Sequence, residues 1–163
     1  MKKNYIIDGF NLGFKIPEIA RWIKSGQTDR AIQLILNHVN KSINIRANQV
    51  IVVFDGRHSS NQELPAYSNI TVRFSNKPQT ADDIIRDFIR NCKKPEDWVV
   101  ISSDSEIRHT ARIMGSELKK SEYFADSNKN KKQKLNPAMR EKYNPNSVDV
   151  DYWLKQFGSG EDD

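Results

Sequence analysis

One cysteine, three histidines and no long apolar run are what this sequence has least of, and each shortage closes a class of explanation. A single thiol, Cys92, forms no internal disulfide and builds no Cys-based zinc site. Three scattered histidines do not supply a His-rich metal site. The longest apolar runs, Val50 to Phe54 and Trp98 to Ile101, fall far short of the ~20 residues that a membrane-spanning helix needs. The N-terminus, MKKNYIIDGFN, opens with two lysines, but Asp8 breaks the apolar stretch after three residues, so no secretory signal is expected. The expectation is a soluble, cytoplasmic protein with no membrane segment.

The 163 residues amount to one ordinary domain with room for a tail. A chain of this size buries roughly 70% of its unfolded surface and needs no covalent staples. Its net charge of +5 is unevenly spread. Residues 1–125 carry +5, residues 126–146 carry +4, and residues 147–163 carry −4. The middle segment, rich in Asn, Lys and Pro, reads as a basic, extended linker that attracts polyanions or simply spaces. In the last segment, Val150, Trp153, Leu154 and Phe157 would share one face of a short helix. Trp153 is expected to anchor packing.

The body alternates strand and helix. Tyr5 to Ile7 is a short apolar strand ending at Asp8-Gly9. From Thr28, apolar residues at 32, 35, 36, 39 and 43 trace an amphipathic helix. Gln49 to Phe54 is a β-branched run suited to a strand buried on both faces. Ile70 to Phe74 alternates and predicts another strand. A helix starts at Thr80, with Ile84, Ile85, Phe88 and Ile89 as its apolar face. Trp98 to Ile101 predicts a further buried strand. Ser103 and Glu106 have capping-box spacing before a helix that Gly115 ends. Ser116 to Lys119 closes the pattern as a weak strand. This order implies an α/β fold: a mostly parallel sheet with helices on both faces.

In such a sheet, ligands bind beyond the carboxyl ends of the strands. Asp8, Asp55 and Asp104 follow three strands, and Asp82 and Asp83 open a helix entering from the same side. Each has a structural alternative. Asp-Gly is a common turn pair, and acids favour helix N-termini. Together, carboxylates packed at one edge repel unless protonated or bridged by a cation. An all-oxygen set selects Mg²⁺ or Mn²⁺, and such an ion can activate water against a phosphoryl group. Asn11 is a loop residue or a partner for Asp8, and Ser102 and Ser103 either cap a helix or hold a ligand.

Asp8-Gly9-Phe10-Asn11, Val52-Val53-Phe54-Asp55-Gly56-Arg57, Thr80-Ala81-Asp82-Asp83-Ile84-Ile85 and Ser102-Ser103-Asp104 occur in that order. The set resembles the NYN branch of the PIN-like nucleases, most closely the YacP-like bacterial members. The stretch GSELKKSEYF, from Gly115 to Phe124, resembles that family's closing strand, serine and short helix. The resemblance covers about residues 4–125, and it implies a PIN-like fold and metal-dependent ribonuclease activity. It further implies Asp8, Asp82 and Asp104 as catalytic acids, with Asp83 added as a metal ligand. Asn11, Ser103 and Asp55 stand in support. Two positions depart from the family's pattern: Ser102 stands where a threonine is frequent, and Arg86 stands where many members have an acid.

The expected function is therefore an endoribonuclease that uses Mg²⁺ or Mn²⁺, acting on messenger or ribosome-associated RNA. Arg57, Lys77, Arg108 and Arg112 are candidates to hold RNA phosphates, or are ordinary surface charges. The rival is a non-catalytic RNA- or ribosome-binding module with the same fold. A phosphatase-type enzyme fits less well: there is no P-loop, and Asp8-Gly9-Phe10-Asn11 lacks the Asp-x-Asp of an aspartyl-phosphate enzyme. The sequence leaves monomer and homodimer equally open. The domain division expected is 1–125, 126–146 and 147–163.

Overall fold

The computed structural model of the chain describes residues 2–43, 47–56 and 63–126. Lys3–Asp8 forms strand β1, followed by helices α1 (Gly9–Phe14), α2 (Pro17–Lys24) and α3 (Thr28–Ile43). Strands β2 (Ala47–Phe54) and β3 (Ile70–Phe74) come next, then helix α4 (Ala81–Asn91) and a 3-10 turn at Pro95–Asp97. Strand β4 (Trp98–Ile101), helix α5 (Ser105–Met114) and strand β5 (Glu117–Lys119) complete the sheet. Residues 121–126 form the last helical segment among the described residues. Arg57, the linker beyond Asp126 and the amphipathic tail segment lie outside the described residues.

The five strands run in the order β3-β2-β1-β4-β5, and every neighbouring pair is parallel. The chain lays β2 and β3 on one side of β1, then returns to lay β4 and β5 on the other. Strand order therefore reverses between β1 and β4. That reversal leaves a crevice beyond the carboxyl ends of these two strands.

Side chains alternate between two cores, as the pleat requires. Ile7, Val50, Val52, Phe54, Val99 and Ile101 pack under α1–α3 and Phe124. Ile6, Ile51, Val53, Trp98 and Val100 pack against α4 and α5, which contribute Ile85, Ile89, Ile107 and Ala111. The sheet is thus covered on both faces, which accounts for the uninterrupted apolar runs of β2 and β4.

Helices α1 and α2 have no counterpart in the sequence reading. Helix α1 has only six residues and contains two glycines, so it carries no legible apolar stripe. Its glycines serve close packing. A Cβ on Gly9 would overlap the Phe54 ring, and one on Gly13 would stand 2.7 Å from Ile35 Cδ1. Asp8-Gly9 is therefore a strand-to-helix junction with no left-handed residue. Asp55-Gly56, in contrast, is a true turn, with Gly56 at φ +88°.

The capping of α5 also differs from the expected Ser103–Glu106 box. Asp104 is the N-cap, and its Oδ1 accepts from Glu106 N at 2.9 Å and Ile107 N at 3.1 Å. Gly115 closes that helix in the left-handed conformation, as expected.

Gly9→Ala should destabilise the chain by about 1–3 kcal/mol, because Phe54 is fully buried between two other aromatic rings and has little room to retreat. Urea unfolding of the full chain checks this, and an unchanged midpoint would refute the packing argument.

Candidate active site

Asp8 is the last residue of β1 and the N-cap of α1, half-buried at the β1/β4 reversal. Ser102, the first residue after β4, donates its hydroxyl to Asp8 Oδ2 at 3.4 Å. Ser102 Oγ in turn accepts Asp104 N at 3.1 Å. One buried serine thereby ties the two central strand ends together. Burial pushes the Asp8 carboxyl up to about 6. The Asn11 amide and the Ser102 hydroxyl pull it back down, while Asp82 and Asp104 push it further up. These three carboxylates are within electrostatic reach of one another.

Asp82 lies in the first turn of α4, and the start of that helix is fixed twice. Thr80 and Asp83 form a reciprocal capping box, with Thr80 N donating to Asp83 Oδ2 at 3.0 Å and Asp83 N to Thr80 Oγ1 at 3.2 Å. Asp55 Oδ1 accepts Ala81 N at 2.8 Å and the Ser75 hydroxyl at 3.0 Å. Asp55 thus pins the end of β2 to the start of α4. Both Asp83 oxygens are engaged, Oδ2 by Thr80 and Oδ1 by Arg86. Asp82 Oδ1, in contrast, is buried with no hydrogen-bond partner. Burial and then the Asp104 charge raise the Asp82 pKa, with Arg86 opposing.

Two of the three supporting residues, Asn11 and Ser103, meet. Asn11 Oδ1 accepts Ser103 N at 3.0 Å and the Ser121 hydroxyl at 2.6 Å. Ser103 Oγ accepts Ser121 N at 3.1 Å and donates to Glu122 Oε2 at 2.5 Å. Lys15 pairs with Glu122 at 3.0 Å. The Ser103 hydroxyl, the residue's own backbone amide and Lys15 hold Glu122 down to about 2. Glu122, Lys15 and Arg86 were not among the expected site residues. Glu122 and Lys15 are brought in by long-range contacts, which no local spacing reveals, whereas Arg86 meets Asp82 and Asp83 at i,i+4 and i,i+3 spacing on its own helix.

Of the residues expected to meet RNA phosphates, Lys77 is exposed in the loop before α4. Arg108 and Arg112 lie one turn apart on α5, half-buried and exposed respectively.

Among the described residues, no group of three His, Cys, Asp or Glu side chains is assembled to hold a metal ion. The chemistry of the donors nevertheless suits a hard cation. All are carboxylates, the charges of Asp82 and Asp104 add to the rise at Asp8 and that of Asp104 to the rise at Asp82, and Asp82 presents a buried oxygen with nothing bonded to it.

These shifts give a pH dependence for the metal-free chain. Asp8 titrates near 6 when folded and near 3.8 when unfolded. Its favourable contribution is complete below about pH 4 and disappears as pH rises through about 6. Glu122 behaves oppositely, losing its contribution as pH falls from 4.5 toward 2. The melting temperature in EDTA should therefore rise between pH 7 and pH 5. Asp8→Asn should flatten that rise and melt no lower than the parent at pH 7. Thermal melts at intervals across this range check both.

A model of the YacP-like NYN domain matches residues 5–156, which runs beyond residue 125 into the segments read as linker and tail. A mutant of Rae1 (YacP) from Bacillus subtilis has a crystal structure that superposes with a TM-score of 0.63 at 18% identity, covering 94% of this chain and 90% of that one. The crystal structure titled Rae1 (YacP) from the same organism gives 0.61 at 18% identity, covering 96% and 91%. Among curated proteins no match is found. The structural likeness carries the fold; the domain match, spanning most of the sequence, carries the family. The chain belongs to the YacP-like NYN domain family, whose nucleases act on RNA.

Proposed function

We propose that this chain is a metal-dependent endoribonuclease that hydrolyses RNA phosphodiesters with Mg²⁺ or Mn²⁺. One observation carries the reading: Asp8 is half-buried at the strand-order reversal with its carboxyl pushed up by burial, Asp82 and Asp104. A structural aspartate at such a junction is normally stabilised by its bonds, whereas for this one burial outweighs the bonds and the neighbouring charges add to the shift.

Asp8, Asp82 and Asp104 are the proposed direct ligands and catalytic acids. Asp83, engaged by Thr80 and Arg86, stands as a water-mediated ligand. When bound, the ion supplies Lewis acidity, lowering the pKa of a water and taking up charge on a phosphoryl oxygen. Asp104 Oδ1 is occupied by two backbone amides, so Oδ2 is the atom left for coordination. Asn11, Ser102 and Ser103 hold the strand ends in place, and Asp55 holds α4. Lys77, Arg108 and Arg112, with Arg57, would bind the RNA backbone. The basic segment 126–146 would add phosphate contacts, and 147–163 would dock through its apolar face. Messenger and ribosome-associated RNA are the substrates to examine first, in a cytoplasmic setting.

Purified chain should cleave labelled single-stranded RNA with Mn²⁺ or Mg²⁺ and stop on addition of EDTA. Asp8→Asn should lose roughly 100-fold or more in rate, since even groups behind a ligand cost ~10–100-fold. RNA binding without cleavage under every metal condition would favour the non-catalytic RNA- or ribosome-binding module. Near-parental cleavage by the Asp8→Asn chain would remove Asp8 from the mechanism.

A further inference from the structure

We infer that Arg86 is a built-in counter-ion that competes with the divalent cation for Asp82, so that it tunes metal affinity; this rests on the metal-dependent reading above. The guanidinium of Arg86 touches three carboxylates from two helices. One terminal nitrogen is 3.5 Å from Asp82 Oδ2 and 3.0 Å from Asp83 Oδ1. The other is 3.5 Å from Glu106 Oε2 on α5. The side chain is only 22% exposed, and its Nε is buried without a partner. A surface arginine that merely decorates α4 would not bury an unpaired donor.

The three contacts are unequal in kind. Asp83 and Glu106 lie outside the proposed direct ligand set, and Glu106 is 68% exposed. Asp82 is inside that set, and its other oxygen is the buried, unbonded one. Arg86 therefore neutralises one side of a carboxylate whose other side is unsatisfied. A cation bound by Asp82 and a guanidinium 3.5 Å from the same carboxylate repel each other. Asp83 and Glu106 provide the alternative partners to which Arg86 can shift its charge without leaving the site. In the metal-free chain Arg86 lessens the repulsion between the starts of α4 and α5. With the ion present it opposes binding, so the site holds its metal more weakly than its carboxylates alone would. Arg86 is a positioning residue and takes no part in bond breaking.

The test measures Mn²⁺ affinity by the electron paramagnetic resonance of free Mn²⁺, for the full chain and for Arg86→Gln, Arg86→Lys and Asp8→Asn. Arg86→Gln should bind Mn²⁺ about tenfold more tightly, the effect of one unit charge on a divalent ion at roughly 6–7 Å in a water-like medium. It should also melt lower in EDTA. Arg86→Lys should fall between it and the parent. Equal or weaker Mn²⁺ affinity in a folded Arg86→Gln chain would overturn the inference. Should that variant fail to fold, the assigned Arg86 Nε–Hε resonance of the parent is followed during Mg²⁺ titration. It should shift and saturate with the ion; a resonance that does not move at saturating Mg²⁺ would overturn the inference equally. The two readings separate cleanly. If the parent and Asp8→Asn bind Mn²⁺ alike, the metal site itself is wrong and this inference falls with it. If binding depends on Asp8 but not on Arg86, only this inference fails.

Discussion

Three carboxylates that repel one another are held at one edge of the sheet, and most hydrogen bonds near that edge act to keep them there. Asp8 has no freedom to retreat because it is part of β1, paired to Val53 of β2 and adjacent to Ile7, which pairs with Ile101 of β4. Asp82 is held through α4, whose first amides are taken by Asp55, Thr80 and Asp83 in ways that leave the helix no play. Asp104 is held by its own cap bonds to α5. The repulsion raises the energy of the ionised site, and the packed strands supply the stability that tolerates it. This is the usual relation between a functional site and a rigid scaffold.

Ser102 and Asn11 divide the remaining work. The Ser102 hydroxyl lies between Asp8 and the Asp104 amide, so it couples the ends of β1 and β4 directly. Asn11 reaches from α1 to Ser103 and Ser121, linking the same crevice to the chain after β5. Three segments far apart in sequence are thereby joined through one amide oxygen. Losing that oxygen would leave a backbone amide and a hydroxyl without their acceptor, a cost that buried polar groups do not escape.

The sheet, its five strands and three of its helices were legible because their signals are periodic and local. Strands Ile70–Phe74 and Trp98–Ile101 have the boundaries that the apolar pattern predicts. The fold class follows from the alternation alone. Helix α1 was hidden because six residues with two packing glycines carry no period, and the reason for Gly9 is Phe54, forty-five positions away. The Ser103–Glu106 spacing suggested a capping box, but Asp104 stands one residue closer and its charged oxygen takes the amides. Spacing identified the motif type, and competition between neighbouring side chains decided which residue used it. Asp8, Asp82 and Asp104 were legible as a group through their places at strand ends and a helix start on one edge of a parallel sheet, and through the family resemblance; no local rule connects them.

Which of the aspartates the fold itself accounts for can be argued from the oxygens left over. Asp55 Oδ1 accepts two donors and serves the β2–α4 junction. Asp83 spends both oxygens on a helix start and an arginine. Asp104 spends one oxygen on α5 and keeps one. Asp82 keeps a buried oxygen that nothing bonds, and Asp8, which accepts from the Asn11 backbone amide and at 3.4 Å from Ser102, still has its carboxyl pushed up by burial. A fold that needed the Asp82 carboxylate only for stability would have satisfied it or replaced it with a neutral group, since an unpaired buried oxygen costs more than its removal. The unsatisfied Asp82 oxygen is thus the part of the candidate site for which the fold itself offers no explanation, and a bound cation is a partner that would satisfy it while offsetting the charge beside Asp8.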